Sequence, residues 1–242
     1  VIDISRSRTE LAKASRVLAH HRIVDAYGHV SCRHPQRGDC FLMSRSKAPA
    51  LVTPGDIIEI DLDGNLVTDS EATMFLERFI HSELYRARSD VEAIVHSHAP
   101  EVLPYTVVTE APLRPICHLC GFLDGVGPPF NVSQHLGHAS DQLISSKDLG
   151  RQFAQHFGAR NVGLIRAHGF TAVAESLPMA VFRAIYTSRN CQIDSAARLL
   201  GSPDYLSAAD AAACEITTHR VAERAWELWL HELSEAGGND WM

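Results

Sequence analysis

The chain has 242 residues, 45% of them apolar, a share ordinary for a soluble globular protein and enough for a substantial core. Its formal net charge is −7, with acidic and basic residues mixed along the length, which argues against a nucleic-acid partner or an acidic lipid surface. No apolar run approaches the ~20 residues needed to span a bilayer, and Val1-Ile2-Asp3-Ile4-Ser5-Arg6 lacks the basic-then-apolar layout of a signal peptide. No membrane association and a cytoplasmic location are therefore expected.

In chain order, Thr9 to Ala26 reads as a helix with Leu11, Ala14, Val17 and Leu18 on one face, ended by Gly28. Short strands are expected at His29–Arg33, Phe41–Met43 and Ile57–Ile60, the last running into an Asp61–Asn65 turn that carries an Asp-Gly-Asn signal. Phe75 to Arg86 has helical spacing. Ala93 to His98 reads as a strand, closed by Pro100, where a further helix can start. The Gly- and Pro-rich stretch from Pro112 to Pro129 reads as a long functional loop with short strands in it.

Leu149–Phe157 reads as a helix, Val162–Ile165 and Phe170–Ala174 as strands, and Pro178–Leu200 and Ala208–Leu233 as two long helices. Several strands are close enough to form hairpins, so the sheet cannot be purely parallel. An α/β/α sandwich around a mixed or largely antiparallel sheet is expected. With no linker, repeat or low-complexity tract, residues 1–242 are expected to form a single domain.

Six cysteines fit reduced thiols in a chain too large to need disulfide staples, and Cys117-x-x-Cys120 stands alone, without the second pair of a zinc ribbon. The fourteen histidines invite a search for spacing. His96 and His98 lie two apart on a strand, so both point to one face with Cα atoms roughly 6.5–7 Å apart. Two imidazoles at that separation can converge on one ion, and catalytic sites commonly use three protein ligands with a position left open. His168 is the third candidate, since it ends an apolar strand before Gly169, which permits a sharp turn. Glu77 precedes the His96 strand near a helix start, where a carboxylate can face a metal. The same position also suits the helix dipole or pairing with His81 four residues on.

Together the segments Gly28-His29-Val30-Ser31-x-Arg33, Val52-Thr53-Pro54-Gly55-Asp56-Ile57-Ile58, Glu77-x-x-x-His81-x-x-x-Tyr85, Val95-His96-Ser97-His98 and Ala167-His168-Gly169 resemble the class II aldolase/adducin-head family. The resemblance implies a three-layer α/β/α sandwich with a mainly antiparallel central sheet. It makes His96, His98 and His168 the metal ligands and Glu77 the acid/base beside the metal. It also implies a homotetramer with active sites between subunits and one divalent metal per subunit, zinc first, with Mn, Co, Mg or Fe as alternatives. The adducin-like branch has lost the metal site, so three retained histidines favour an enzyme.

The departures from the family bear on substrate. Where sugar-phosphate aldolases carry small polar phosphate-binding residues, this chain has His29, the loop Met43-Ser44-Arg45-Ser46, and Met74-Phe75-Leu76 before Glu77. A phosphorylated sugar is not expected. An apolar wall with one arginine suits a planar organic acid, because guanidinium pairs bidentately with carboxylate. The segments 41–49, 76–81 and 115–123 resemble a decarboxylase-type branch acting on dihydroxyphthalate-like acids or ring-cleavage dienoates.

The expected chemistry is decarboxylation of a non-phosphorylated aromatic hydroxy acid or dienoic acid by metal stabilisation of an enolate-like intermediate. His29 and Arg45, the latter with Ser44 and Ser46, are the candidate substrate contacts. Glu77, His118 and Tyr186 are the candidate proton donors. Three alternatives stay open at the level of sequence. They are an aldolase for a hydroxy-keto acid, an iron-dependent oxygenase on the same fold, and an adducin-like interaction module without enzymatic activity.

Overall fold

The computed structural model describes residues 3–67 and 71–237, so Val1 and Ile2 of the N-terminal stretch discussed above lie outside the described residues. Its elements are α1 (Ile4–His20), β1 (His29–Arg33), β2 (Cys40–Ser44), β3 (Ile57–Asp61), α2 (Arg78–Ala87), β4 (Ala93–Ser97), α3 (Leu103–Val107), α4 (Val132–Leu136), α5 (Lys147–Phe157), β5 (Val162–Ile165), β6 (Gly169–Ala174), α6 (Leu177–Leu200), α7 (Ala208–His219) and α8 (Ala222–Glu235). The six strands form one sheet in the order β3-β2-β1-β4-β6-β5, and every neighbouring pair is antiparallel.

Alternation along β4 divides the core into two layers, because successive side chains leave opposite faces of a strand. Ala93 and Val95 pack with α1, α6 and α8 through Leu11, Leu18, Val181, Trp226 and Trp229. Ile94 packs on the other face with α2 and α5 through Ile80, Leu84, Phe153 and Phe157. His96 follows Ile94 in phase, so it faces the α2 side, where Glu77 and His81 lie.

The helices start where short polar side chains can accept orphan N–H groups. Asp3 caps α1 through Ser5 N, Ser146 caps α5 through Leu149 N, Ser176 caps α6 through Met179 N, and Ser207 caps α7 through Asp210 N. Proline sits in the first turn of α6, where its missing N–H costs nothing.

Four expectations are corrected. The first helix stops at His20, not near Ala26: Arg22 takes a left-handed φ of 58°, and Ile23 and Val24 fold back as buried core residues. Residues 75–77 precede α2 and run along a cleft instead of joining the helix. The 112–129 region holds a 3-10 helix at His118–Leu123, with no strand among the described residues. The expected Ala208–Leu233 helix is two helices, because α7 packs on the 118–123 turn whereas α8 packs on α1 and α6 through Trp226, Trp229 and Leu233. One straight rod cannot serve both surfaces. Cys117 and Cys120 are free thiols with sulfurs 2.9 Å apart, packed in the α6 layer.

Candidate metal centre and active site

Two close backbone approaches bring the site together at the end of β4. Gly28 has φ +91°, and a Cβ there would meet Val24 Cγ1 at 2.6 Å and the His96 carbonyl at 3.0 Å. Gly169 lets β6 run tight against β4, since its Cβ would lie 2.2 Å from the Ser97 carbonyl oxygen and 3.0 Å from His98 Cδ2. The sharp turn expected at Gly169 is made by Ala167, whose φ is +54°. The glycine is needed for closeness, and the alanine bears the strain.

His96 projects from β4, His98 lies just beyond it, and His168 stands in the β5–β6 turn. Their Nε2 atoms form a small triangle: 3.0 Å between His96 and His98, 3.3 Å between His96 and His168, and 2.9 Å between His98 and His168. His168 Nδ1 donates to the Gln142 carbonyl at 2.8 Å, so when the ring is neutral its Nε2 carries the lone pair. His96 Nδ1 is 3.2 Å from Thr171 Oγ1.

Three imidazole nitrogens so close together suit a shared cation better than one another. A point about 2.1 Å from all three, the length of a zinc–imidazole bond, sits only about 1 Å off their plane. The donor set therefore fits a divalent metal. Glu77 completes the group, and its ligand oxygen and the three nitrogens all lie within 4.8 Å of one another.

Glu77 is the residue just before α2 and is buried. One carboxylate oxygen, Oε1, accepts from Ile144 N at 3.1 Å. The other, Oε2, is 3.2 Å from His168 Nε2 and 3.5 Å from His96 Nε2. Burial pushes its carboxyl up, but His96 and His168 prevail and hold it well below the usual carboxylate range. Burial lowers His96 and brings His98 down to about 3, which favours neutral imidazoles there, whereas at His168 burial pushes down but Glu77 prevails and raises it.

Beside the triad, His29 Nδ1 is 2.8 Å from His81 Nε2, and His81 Nδ1 is 2.6 Å from Ser31 Oγ. Ser31 in turn meets the Tyr85 hydroxyl at 2.8 Å. All four residues are buried, and the chain of hydrogen bonds gives each ring a partner.

A cleft of ≈ 490 Å³ opens over His98, Glu77 and His29. Ala26, Ala48, Met74, Phe75, Leu76 and Leu143 give it largely apolar walls, and Ser46, Lys47 and Thr73 line one side. Lys47 is the only Lys or Arg among the described residues lining it. Its Nζ donates to Asp56 Oδ2 at 2.7 Å, while Arg45 Nε donates to Oδ1 of the same carboxylate at 2.7 Å. Thr53 N and Oγ1 complete the Asp56 shell at 2.9 and 2.8 Å.

Of the residues expected at the site, His29, Ser46, Glu77, His96, His98 and His168 come together. Arg45 does not line the cleft: it is held by Asp56 and its side chain is 50% exposed. Ser44 is buried in β2. His118 is exposed on the 118–123 turn, and Tyr186 stacks on Phe182 at 4.3 Å, in the layer on the opposite side of the sheet from His96. Neither lines the cleft of its own chain. Lys47, Gln142, Ile144 and Thr171 were not anticipated. Lys47 alone had a visible signal, as a cation adjoining Ser46.

Residues 9–194 match the family described as the class II aldolase and adducin N-terminal domain. The chain belongs to that family. It is 39% identical to decarboxylase tropJ of Talaromyces stipitatus, over 92% of this chain and 91% of that one. It is 32% identical to 3,4-dihydroxyphthalate decarboxylase of Arthrobacter keyseri, over 74% of this chain and 73% of the other. Among solved structures, an aldolase II superfamily protein from Pseudomonas syringae superposes with a TM-score of 0.80 and 22% identity, covering 97% of this chain and 94% of that one. This last likeness speaks to the fold alone. No helix among the described residues is long and apolar enough to cross a membrane.

Proposed function

We propose that the protein is a metal-dependent carbon–carbon lyase that decarboxylates a non-phosphorylated aromatic hydroxy acid or ring-cleavage dienoic acid. The observation that carries this reading is the triangle of converging imidazole nitrogens, flanked by Glu77, beside an apolar cleft that His98 and Glu77 line together with one lysine. Relatives named as decarboxylases lend the reaction type support.

Loss of CO2 leaves the electron pair of the broken bond on carbon, where it must be delocalised and then protonated. His96, His98 and His168 would hold a divalent metal, which supplies Lewis acidity toward a substrate oxygen when bound. Neutral imidazoles leave the full +2 charge available, and they suit zinc first, with Mn, Co, Mg or Fe as alternatives. Lys47, with Ser46 beside it, binds a substrate carboxylate that is retained. Asp56 anchors that lysine at the cleft wall. Met74, Phe75 and Leu76 face the flat apolar part of the substrate and exclude water from it.

Glu77, with Oε1 pinned by Ile144 N–H, turns Oε2 toward the histidines, where it moves a proton between a substrate hydroxyl and the carbon that loses CO2. His29 lines the same cleft and contacts the substrate. In this reading the working form is a homotetramer with sites between subunits. Exposed Tyr27 and Leu76 at the cleft, 69% and 61% accessible, support burial against a second copy.

The test is metal analysis of purified protein joined to a CO2-release screen over aromatic dihydroxy acids and carboxylated dienoic acids. About one divalent metal per chain with metal-dependent CO2 release is expected. An aldehyde or ketone fragment in place of CO2 would make the protein an aldolase, oxygen consumption would make it an oxygenase, and absence of metal would overturn the reading.

A further inference from the structure

One short stretch touches three separate parts of the centre. The Gln142 carbonyl accepts from His168 Nδ1 at 2.8 Å, Leu143 lines the cleft, and Ile144 N donates to Glu77 Oε1 at 3.1 Å. Gln142 takes a φ of +65°, a left-handed conformation uncommon for a side chain of its size. Such a residue persists only where its surroundings hold it.

The holding contacts are visible. The Gln142 amide Nε2 donates to Ser133 Oγ at 2.7 Å and to Ser140 Oγ at 3.1 Å, and the two serine hydroxyls lie 3.1 Å apart. Gln142 N donates to Ser140 Oγ at 3.2 Å. Ser133 belongs to α4, and Phe130 just before α4 is bonded through its own N–H and carbonyl to Leu164 and Arg166. Those residues belong to the same strand and turn that carry His168. The mooring and the ligand therefore share one foundation.

We propose that Gln142 is a positioning residue for the metal centre. Moored on Ser133 and Ser140, it presents the carbonyl that fixes His168 in the Nδ1–H tautomer and aims its Nε2. Through Ile144 the same stretch sets Glu77, so ligand and carboxylate are placed by one element. The inference rests on the metal reading of the three histidines and is independent of which bond the enzyme breaks.

The test uses cobalt(II) as probe, titrated into the metal-free full chain in competition with a chelator. Two variants are compared with wild type, Gln142→Ala and the double variant Ser133→Ala/Ser140→Ala. Both variants keep the carbonyl of residue 142 and release it from its mooring. A loss in metal affinity of up to about 10- to 100-fold, the range that follows removal of a partner behind a ligating histidine, is expected in both. The cobalt absorption spectrum should shift as the ligand geometry relaxes, while the thermal midpoint of the metal-free protein stays close to wild type. Wild-type affinity and spectrum in the variants, with only a lowered midpoint, would reduce the contact to a structural one and overturn the proposal. Should Gln142→Ala not fold, the serine double variant, which leaves Gln142 intact, decides. A wild-type chain that binds no cobalt would overturn the metal reading and this proposal together.

Discussion

Lys47 and Arg45 grip the same carboxylate, Asp56, from two sides, but only Lys47 borders the cleft. Two cations on one acid leave a net positive charge at that wall, on the side where a substrate carboxylate would lie. The half-exposed Arg45 is held at the cleft's outer side by Asp56, and Lys47 lines the cleft.

Replacing Lys47 with alanine is therefore expected to raise KM for the acid substrate by about tenfold or more, the loss of one charge-assisted hydrogen bond being worth about 1.5–3 kcal/mol. Arg45→Ala should change KM by less than about fivefold, as the half-exposed Arg45 does not border the cleft and such a pair contributes about 1 kcal/mol at most. Steady-state kinetics on both variants checks this, and the reverse order would return the role to Arg45.

His168→Ala should abolish metal binding and turnover together, because it removes one corner of the nitrogen triangle. Metal content by mass spectrometry and CO2 release are read on the same preparation. Turnover that survives complete metal loss would contradict the scheme. Treatment of the wild-type protein with a chelator should reproduce the loss, and added zinc or cobalt should restore it.

Asp56 links pH to stability. Burial pushes its carboxyl up, but hydrogen bonds from Lys47, Arg45 and Thr53 prevail and hold it well below the usual carboxylate range. A depressed folded-state pKa gives stability that is fully present above the unfolded value of about 3.9 and is lost as pH falls toward the folded value. Asp56→Asn should lower stability at neutral pH by about 2–3 kcal/mol. It should also flatten the fall in thermal midpoint below about pH 4. Parallel melting curves for wild type and variant between neutral and acid pH check both signs, and parallel slopes in the acid limb would remove Asp56 from the account.

Gly169→Ala should be among the most destabilising single-methyl additions in the chain. The added Cβ would fall 2.2 Å from the Ser97 carbonyl, a backbone atom that cannot swing aside. Separating β6 from β4 costs ladder hydrogen bonds and displaces His98 and His168 together. A loss of about 3 kcal/mol or more is expected, in the range of severe core disruption. Ala167→Gly, by contrast, relieves a left-handed alanine and should leave thermal stability unchanged or slightly raised. Denaturant melts of the two variants separate these effects.

Local chemistry made much of this legible in the sequence. The five residues of β1 are legible to the residue, as period-two strands punctuated by glycine are. β4 stops at Ser97, one residue short of the expected strand, yet His96 and His98 still converge as the phase rule expects, their Nε2 atoms 3.0 Å apart. The pairing of those two with His168, across about seventy residues, is legible through the family resemblance, whereas the expectation that His168 ends a strand is not met, since β5 stops at Ile165 and Gly169 opens β6.

The tertiary structure decided what side-chain direction and long-range contact decide. Past Ser44 the chain leaves the strand, so alternation no longer tells which of Arg45, Ser46 and Lys47 turns inward, and the cation at the cleft is Lys47. The break between α7 and α8 has no glycine or proline to mark it, and it arises because the two halves pack on different partners. His118 and Tyr186 read as candidates by residue type, but the sheet separates them from the histidines of their own chain. Gln142 carried no signal, because its part is played by a main-chain carbonyl, and what a carbonyl meets is fixed only when distant segments have been folded against each other.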